Sequence, residues 1–317
     1  MKLTVQLLTW NGAKYVPYLF DSLRAQIFTD WELHILDNNS TDNTVEAIKK
    51  ETTNFSVPYE LEVNKENVGF ARGHNQLFKK SDGEYVLFLN QDIYLDKDCL
   101  KKLVHFLDNN DCVGVSPRLM KWSFPDKFAD EIDSVGLKVY KNRRVVDLNK
   151  KGREEVFGIS GAMPMFRRRD LETVVFSDGS IFDESYGSYK EDVDLAYRLR
   201  SAGLQVAVAD KAIAYHDRAS SRGMPAKKNQ PAHIKYNSYK NHLMTLYKNE
   251  YWQNFVLDFP WILWYELKKF IWFLLFDRAV LAGLKDVWHE RKNLQNKRKE
   301  IKSKRRLGWC EMRKRMR

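Results

Sequence analysis

Residues 85–92 read Tyr-Val-Leu-Phe-Leu-Asn-Gln-Asp, five apolar and aromatic residues that stop abruptly at two amides and a carboxylate. An unbroken apolar run of this length, closed by polar residues, fits a strand covered on both faces, the habit of parallel sheets. Four more β-rich runs lie around it: Leu3 to Thr9, Glu32 to Leu36, Tyr59 to Val63 and Val113 to Ser116. Amphipathic stretches separate them, and their spacing predicts helices over Val16 to Gln26, Thr41 to Glu51, Ala71 to Lys80 and Asp98 to Asn109. Asn39-Ser40-Thr41-Asp42 supplies N-cap chemistry ahead of the second helix. Strand and helix therefore alternate up to about residue 120, the pattern of an α/β fold whose mixed, mostly parallel sheet is flanked by helices.

Beyond that half the signal weakens and then returns. Residues 121–155 are charge-rich without clear periodicity and read as a long excursion or a β-hairpin insert. From Val156 the pattern resumes with a glycine-containing strand, GISGAMPMF at 158–166, and a helix starting near Arg169. In SYGSYKEDVDLAYRLRSAG (185–203), Val193, Leu195, Ala196 and Leu199 fall at helical spacing and Gly203 suits a C-cap, so a helix begins at or just after Glu191-Asp192. A strand from Gln205 to Ala209 precedes AIAYHDRASS at 212–221. No internal repeat is present.

Composition narrows the classes. With 317 residues, 44% of them hydrophobic, and three cysteines, the chain is neither disordered, collagen-like nor a disulfide-stapled miniprotein. Cys99, Cys112 and Cys310 form no CxxC pair, which argues against a zinc knuckle and fits a reducing compartment. The N-terminal apolar run meets a polar turn at Asn11-Gly12, without the apolar core and cleavage site of a secretion leader, so a cytoplasmic location is expected. Residues 291–317 carry thirteen Lys and Arg against two Glu, which accounts for the entire formal charge of +11 and leaves the remainder neutral.

The C-terminal quarter has a different character. Six of the nine tryptophans lie beyond residue 250, and FPWILWYELKKFIWFLLFD (259–277) is the most apolar segment, yet Glu266, Lys268 and Lys269 interrupt it. Each central lysine would cost roughly 2.5–3.5 kcal/mol in a spanning helix, and neither flanking run reaches the ~18 residues that spanning needs. Read as a helix from Pro260, the segment gathers Glu266, Lys269 and Asp277 on one narrow stripe, with apolar and aromatic surface elsewhere. That pattern suits an amphipathic helix in a membrane interface, with the basic tail drawn to anionic lipid. The plain alternative is a buried core helix followed by a solvated charge run.

Open α/β sheets bind ligands at the carboxyl ends of their strands, and four such ends carry polar chemistry. Thr9-Trp10-Asn11 and Asp37-Asn38-Asn39-Ser40 follow the first two strands; an Asp there can accept from a base N–H, although turns and caps explain the same residues. Asn90-Gln91-Asp92 suits a divalent cation that keeps waters and binds diphosphate oxygens, or else a simple turn. Glu191, Asp192 and Asp194 cluster at a helix start, where the macrodipole stabilises carboxylates whether or not they do chemistry. His216, commonly a packed residue, becomes a natural second ligand if the fold brings it to Asp92. The run Asn67 to Gly73 offers backbone N–H groups and the Arg72 guanidinium, a fair anion cradle.

Taken in order, TWNG, DNNSTDNT, ENVGFARGHN, FLNQD, GISGAMPMFRR, FDESYGSYKEDVDLAYRLRSAG and AYHDRASS make residues 3–221 resemble the family 2 glycosyltransferases of the GT-A fold. Within them the chain is similar to the rhamnosyltransferase-like group that builds bacterial surface polysaccharides. The resemblance implies a GT-A domain over 1–235, its nucleotide-binding half at 1–120 and its acceptor and catalytic half at 121–235. An aromatic-rich helical region with a basic tail then follows over 236–317. It implies that Thr9, Asp37, Asn39 and Arg72 serve the nucleotide, with Asn90 lining the same turn as Asp92. Asp92 and His216 would ligate Mg2+ or Mn2+, and Asp192, with Glu191 as the fallback, would be the catalytic base. Asn90-Gln91 departs from the fullest DxD pattern and leaves a metal fewer carboxylates.

The implied reaction is inverting transfer of a sugar, dTDP-rhamnose being the family-led donor and UDP-sugars the other candidates. The acceptor would be a saccharide or lipid-linked saccharide, met by an enzyme lying peripherally on the inner face of the cell membrane. A competing reading is a non-catalytic, membrane-associated nucleotide-sugar or carbohydrate-binding protein. Nucleic acid is not an expected partner, because the body is neutral and the tail offers only Trp309 for stacking.

Overall fold

The computed structural model describes residues 1–125, 127–150, 156–218 and 230–316. In its first half, β1 (Leu3–Thr9), α1 (Val16–Arg24), β2 (Trp31–Asp37), α2 (Thr44–Thr52), β3 (Tyr59–Val63), α3 (Gly69–Lys80) and β4 (Tyr85–Asn90) alternate as the apolar pattern requires. Next come β5 (Ile93–Leu95), α4 (Cys99–Asn109), β6 (Gly114–Ser123), β7 (Lys127–Ser134), β8 (Leu137–Val139) and β9 (Val145–Asp147). Then follow β10 (Met165–Arg167), α5 (Arg168–Glu172), α6 (Glu191–Ser201) and β11 (Val206–His216). The chain closes with α7 (Ala232–Asn249), α8 (Trp252–Phe276), α9 (Ala282–His289), α10 (Arg291–Ser303) and α11 (Trp309–Lys314).

Among the described residues the main sheet runs β3-β2-β1-β4-β10-β6-β11-β5, with β7 hydrogen-bonded to β6. β3, β2, β1 and β4 are mutually parallel, as are β6 and β11, while β10, β5 and β7 run against their neighbours. The order reverses at β1, which lies between β2 and β4, so the carboxyl ends of β1 and β4 flank the crevice where such sheets take their ligands. Strand β4, the run from which the reading started, is buried along its apolar length, and its aromatic face packs Phe88 against Phe78, Phe166 and Phe182.

Several sequence expectations are revised. The expected strand over 158–166 shrinks to β10 plus one bridge from Gly158 to Leu137. Gly161 must instead let the Asp192 side chain approach, because a Cβ there would lie 3.2 Å from that of Asp192. The strand expected to stop at Ala209 continues through a bulge to His216, so the histidine ends the strand rather than following it. The excursion is two hairpin elements, β6–β7 and β8–β9; residues 151–155 of it, and Ala219-Ser220-Ser221 of the last motif, lie outside the described residues. The N–H groups at the start of α3 do not form an open cradle: Gly69 donates to Asn67 Oδ1, and Ala71 donates to the Gly187 carbonyl.

The C-terminal helices dock through buried charge. Arg143, at the β8–β9 turn and wholly buried, donates through Nε and Nη2 to both Glu250 oxygens at 2.6 and 3.0 Å, and through Nη1 to Asp258 on α8 at 2.9 Å. Asp183 receives Lys248 of α7 at 2.5 Å and Lys297 of α10 at 2.7 Å. The basic tail is therefore not a free charge run: α10 and α11 fold back, Lys297 is buried, Arg305 stacks on Tyr251 and Arg313 pairs with Asp258. Breaking a buried ion pair from one side typically costs about 3–5 kcal/mol. Arg143→Met keeps side-chain bulk while stranding Glu250 and leaving Asp258 with Arg313 alone, and should lower unfolding stability by about that amount in a urea titration. An unchanged midpoint would show that the hairpin docks without this pair.

Candidate active site

One cavity of about 540 Å3 opens at the carboxyl ends of β1 and β4. Thr9, Asn90, Asp92, Glu191, Asp192 and His216 all line it, as do Trp10 and Asn38. The fold brings Asp92 to His216 by strand pairing: β5, directly after Asp92, pairs antiparallel with the end of β11, so that Ile93 faces His216 across the ladder. The Asp217 N–H closes the junction on the Asp92 carbonyl at 3.1 Å. His216 Nε2 then stands 3.5 Å from Asp92 Oδ1, while Nδ1 lies 3.0 Å from Asp133 Oδ2.

Asp133 is held in turn by Arg218 at 2.8 Å, and Arg218 reaches Asp147 at 3.1 Å. Burial opposes a charge on His216, but the Asp92 and Asp133 carboxylates overcome it and raise its pKa to about 9. A carboxylate that fixes one imidazole nitrogen so that the other points at a second ligand is the arrangement that orients metal-binding histidines. Once His216 gives up its proton, as ligation requires, Asp92 and His216 fit a divalent cation as a two-ligand site. Among the described residues no group of three or more His, Cys, Asp or Glu forms a cluster suited to a metal, so diphosphate and water would have to complete its coordination.

Across the cavity, α6 begins at Glu191, and Asp192 accepts the Gly161 N–H at 3.1 Å and the Val193 N–H at 2.7 Å. These two bonds fix the Asp192 carboxylate while leaving it half-buried at the cavity wall. Burial and then the facing Asp147 carboxylate push its pKa up, with Lys190 opposing. Glu191 is more enclosed, its Oε2 has no hydrogen-bond partner among the described residues, and burial followed by the Asp192 charge pushes its pKa up. Two N–H donors favour the ionised form of Asp192, which makes it the better proton acceptor of the pair.

The expected nucleotide residues divide. Thr9 lines the cavity and donates to Asp37 Oδ2 at 2.8 Å. Asp37 itself is fully buried behind it and receives the Ser40 N–H and hydroxyl at 2.8 and 2.6 Å. Asn39 takes a left-handed φ of 62° and is exposed outside the cavity wall, whereas its neighbour Asn38 lies in that wall. Arg72 is an exposed residue of α3, 3.7 Å from Glu184, and does not line the cavity.

Sequence reading missed Asp133 and Asp147, because the hairpins carrying them lack periodicity and nothing local links them to His216. It also left Gln91 as a mere departure from an acidic motif. Gln91 Oε1 accepts the Trp10 N–H at 2.9 Å and its amide donates to the Trp10 carbonyl at 3.0 Å. A carboxylate cannot make the second bond, so an amide at this position ties the β1 turn to the β4 turn. Gly12 permits it, since a Cβ there would lie 2.2 Å from Gln91 Oε1.

A largely parallel sheet with its cleft at the β1/β4 reversal, and helices on both faces, defines the GT-A class of α/β fold. The chain belongs to glycosyl transferase family 2, whose model matches residues 4–175. Over 113 residues it is 34% identical to a poly(ribitol-phosphate) β-N-acetylglucosaminyltransferase, TarS, of Staphylococcus aureus, covering 35% of this chain and only 19% of TarS. It is 26% identical over 221 residues to the O-antigen chain rhamnosyltransferase RfbN of Salmonella typhimurium, 68% of this chain and 66% of that one. Among solved structures, the mannosyltransferase PcManGT of Pyrobaculum calidifontis, in complex with GDP-Man and Mn2+, superposes with a TM-score of 0.54 at 19% identity, covering 78% and 63% of the two chains. TarS 1–349 in complex with UDP-GlcNAc gives 0.53 at 19% identity, covering 96% and 91%.

Asp147→Asn removes the negative charge facing Asp192 and should move the Asp192 titration midpoint to lower pH. Carboxyl 13C NMR of the full chain reads this directly; an unmoved midpoint would mean that burial alone sets the Asp192 pKa.

Proposed function

We propose that the chain is an inverting glycosyltransferase that moves a sugar from a nucleoside diphosphate donor to a saccharide hydroxyl in bacterial surface polysaccharide synthesis. The observation that carries this reading is that Asp92 and Asp192, one hundred positions apart, line a single cavity. Asp92 and His216 would hold Mg2+ or Mn2+, which when bound offsets the charge that develops on the departing diphosphate. The Mn2+ of the mannosyltransferase complex supports a divalent ion in this fold. Arg218 adds a guanidinium on the His216 side of the cavity.

Asp192, ionised and held by two backbone N–H groups, takes the proton of the acceptor hydroxyl as its oxygen bonds to the anomeric carbon. The bond from that carbon to the diphosphate breaks, and the nucleoside diphosphate leaves with the electron pair. General-base assistance of this kind is worth about 10²- to 10⁴-fold. Attack on one face and departure from the other invert the anomeric centre and leave no glycosyl-enzyme. Thr9, backed by Asp37, and Asn90 serve the nucleotide side of the cavity; Asn39 and Arg72 lie outside its wall. The likeness to the rhamnosyltransferase RfbN supports rhamnose as the sugar, with dTDP-rhamnose as our proposed donor, and the UDP-GlcNAc complex of TarS keeps UDP-sugars as the other donor class.

We also propose that the protein works peripherally on the inner face of the cell membrane, through α8. Among the described residues no helix is long and apolar enough to cross a membrane. Helix α8 starts eight residues before Pro260, runs 25 residues or about 37 Å, and is built inside out. Asn254, Asp258, Ile262, Glu266, Lys269 and Phe273 form the inward stripe, and its polar groups bond Trp309, Arg143, Arg313 and His242. The outward face shows Trp252, Trp261, Trp264, Leu267, Ile271 and Phe276, and Trp252 and Trp264 are 66% and 64% exposed. An apolar strip of this length is not left to water. Exposed Lys268 on the helix and Arg278 just beyond its end favour an anionic bilayer over a second copy of this cationic chain.

Asp192→Asn should leave nucleotide-sugar binding nearly intact and reduce transfer by at least 10²-fold, whereas Asp92→Ala should weaken donor binding in the presence of Mn2+. Calorimetry beside a transfer assay over dTDP- and UDP-sugars checks both, and full transfer by Asp192→Asn would refute the assignment. In vesicle flotation the full chain should rise with phosphatidylglycerol-containing liposomes. The triple change Trp261→Glu, Trp264→Glu, Ile271→Glu should leave it at the bottom with an unchanged melting temperature. Flotation of the triple variant would eliminate α8 as the contact, and a dimer that it disrupts would assign the face to a second copy.

A further inference from the structure

We infer that Asn241 of α7 is a positioning residue for the catalytic carboxylates, clamping the loop that delivers them; this rests on the transferase reading of the cavity. The loop leading into Glu191 is conformationally costly. Gly187, Tyr189 and Lys190 have φ values of 68°, 73° and 71°. For Tyr and Lys such left-handed backbone costs about 1–2 kcal/mol each and persists only where surrounding contacts over-determine it.

Asn241 supplies those contacts. It is wholly buried, and its Nδ2 donates to the carbonyls of Tyr186, Ser188 and Tyr189 at 3.0, 2.9 and 2.7 Å. Three carbonyls of one short segment converge on a single amide because the left-handed residues turn them to the same side. Its Oδ1, by contrast, is buried without a hydrogen-bond partner among the described residues. Reversing the amide would set that oxygen against three carbonyls, so the side chain can serve only as a donor to this loop. A residue retained merely to satisfy its own polarity would not leave half of it unsatisfied.

The rest of α7 follows the same segment. Lys240 donates to the Ser185 carbonyl at 3.0 Å, Thr245 pairs with the Tyr186 hydroxyl at 2.7 Å, and Asn249 donates to Asp194 at 2.8 Å. Asn237, one turn before Asn241, lines the cavity beside Ser188 and Tyr189. The side chains of α7 therefore hold residues 185–194 from beginning to end, and Asn241 acts at the strained point directly before the base. The nucleotide end of the cavity, on β1 and β4, receives none of these bonds.

The test uses the full chain with Asn241→Asp, which keeps the shape and removes the donors, and Asn241→Ala, which adds no charge and so guards against unfolding by the carboxylate. Hydrogen–deuterium exchange over 186–193 should be at least tenfold faster in each folded variant, with β1 and β4 unchanged. Transfer kcat should fall on the order of 10²-fold, the usual cost of misplacing a catalytic group by about 1 Å, while donor KM stays within twofold. Wild-type exchange or kcat in either folded variant overturns the proposal, as does a loss shared between kcat and donor KM. If the wild-type chain transfers no sugar from any donor, the transferase reading fails while the exchange result still decides whether Asn241 holds the loop.

Discussion

A carboxylate taken out of water must find a cation or keep a proton, and this molecule applies that constraint in two opposite ways. Where it builds, it pairs: Asp183 lies between Lys248 and Lys297, Asp194 meets Arg198 and Lys248, and Asp258 meets Arg143 and Arg313. Burial would raise Asp183 and Asp194, yet their lysine and arginine partners hold both below the usual carboxylate range. At the α6 side of the cleft the cation that acts on Glu191 and Asp192 among the described residues is Lys190, itself lowered by burial, and both acids rise. Acids two positions apart on one helix, Asp192 and Asp194, thus differ in basicity because one faces a cavity and the other a lysine.

The same contrast accounts for what the sequence disclosed. A parallel strand covered on both faces needs an apolar run, and the pairs from β1 to β4 leave that run in the chain, so this half was readable to within a few residues. The second half depends on pairings that leave no local trace. β11 outlives its predicted end because Ile213 to His216 pair with Arg118 to Lys121 on one side, and Ala214 to His216 with β5 on the other. The stretch 158–166 resembles a strand in composition, but its glycines provide close approach to α6 instead. Asp133 sits in a largely exposed β7 segment, KFADEIDS, whose Phe128, Ala129 and Ile132 do not alternate with its polar residues, and only the fold carries it to His216. Thr9, Asn90, Asp92, Asp192 and His216 were legible as strand or helix ends. Asn39 was not separable from Asn38, since one left-handed residue decides which of the two looks inward.

Helix α8 reverses the ordinary logic of an amphipathic surface helix. Its polar stripe was visible in the sequence, but a stripe does not say which way it faces. The inward direction follows from complementarity: Arg143, His242 and Arg313 face the stripe, and an outward-turned Asp258 would leave the buried Arg143 short of a partner. Once the polar residues are spent inward, the aromatic ones have nowhere to go but out. Of the basic residues of the tail, Lys297 turns inward to Asp183 and Arg313 to Asp258.

This arrangement changes what the C-terminal region is. Helix α7 touches the loop before Glu191 with Asn241 and Thr245, and it touches α8 with His242, whose Nε2 lies 2.7 Å from Glu266. Lys235 of the same helix pairs with Asp277 at the end of α8. One rod therefore carries, on different faces, the bonds that shape the loop leading into α6 and the bonds that seat the outward apolar surface. An appended anchor would show a mobile junction and few shared polar contacts. Here the junction is Glu250, locked by both ends of the Arg143 guanidinium, and the hairpin that supplies Arg143 also supplies Asp147 to the cleft. Helix α7 is thus part of the cavity wall, through His233 and Asn237, and α8 is tied to that same helix by His242–Glu266 and Lys235–Asp277.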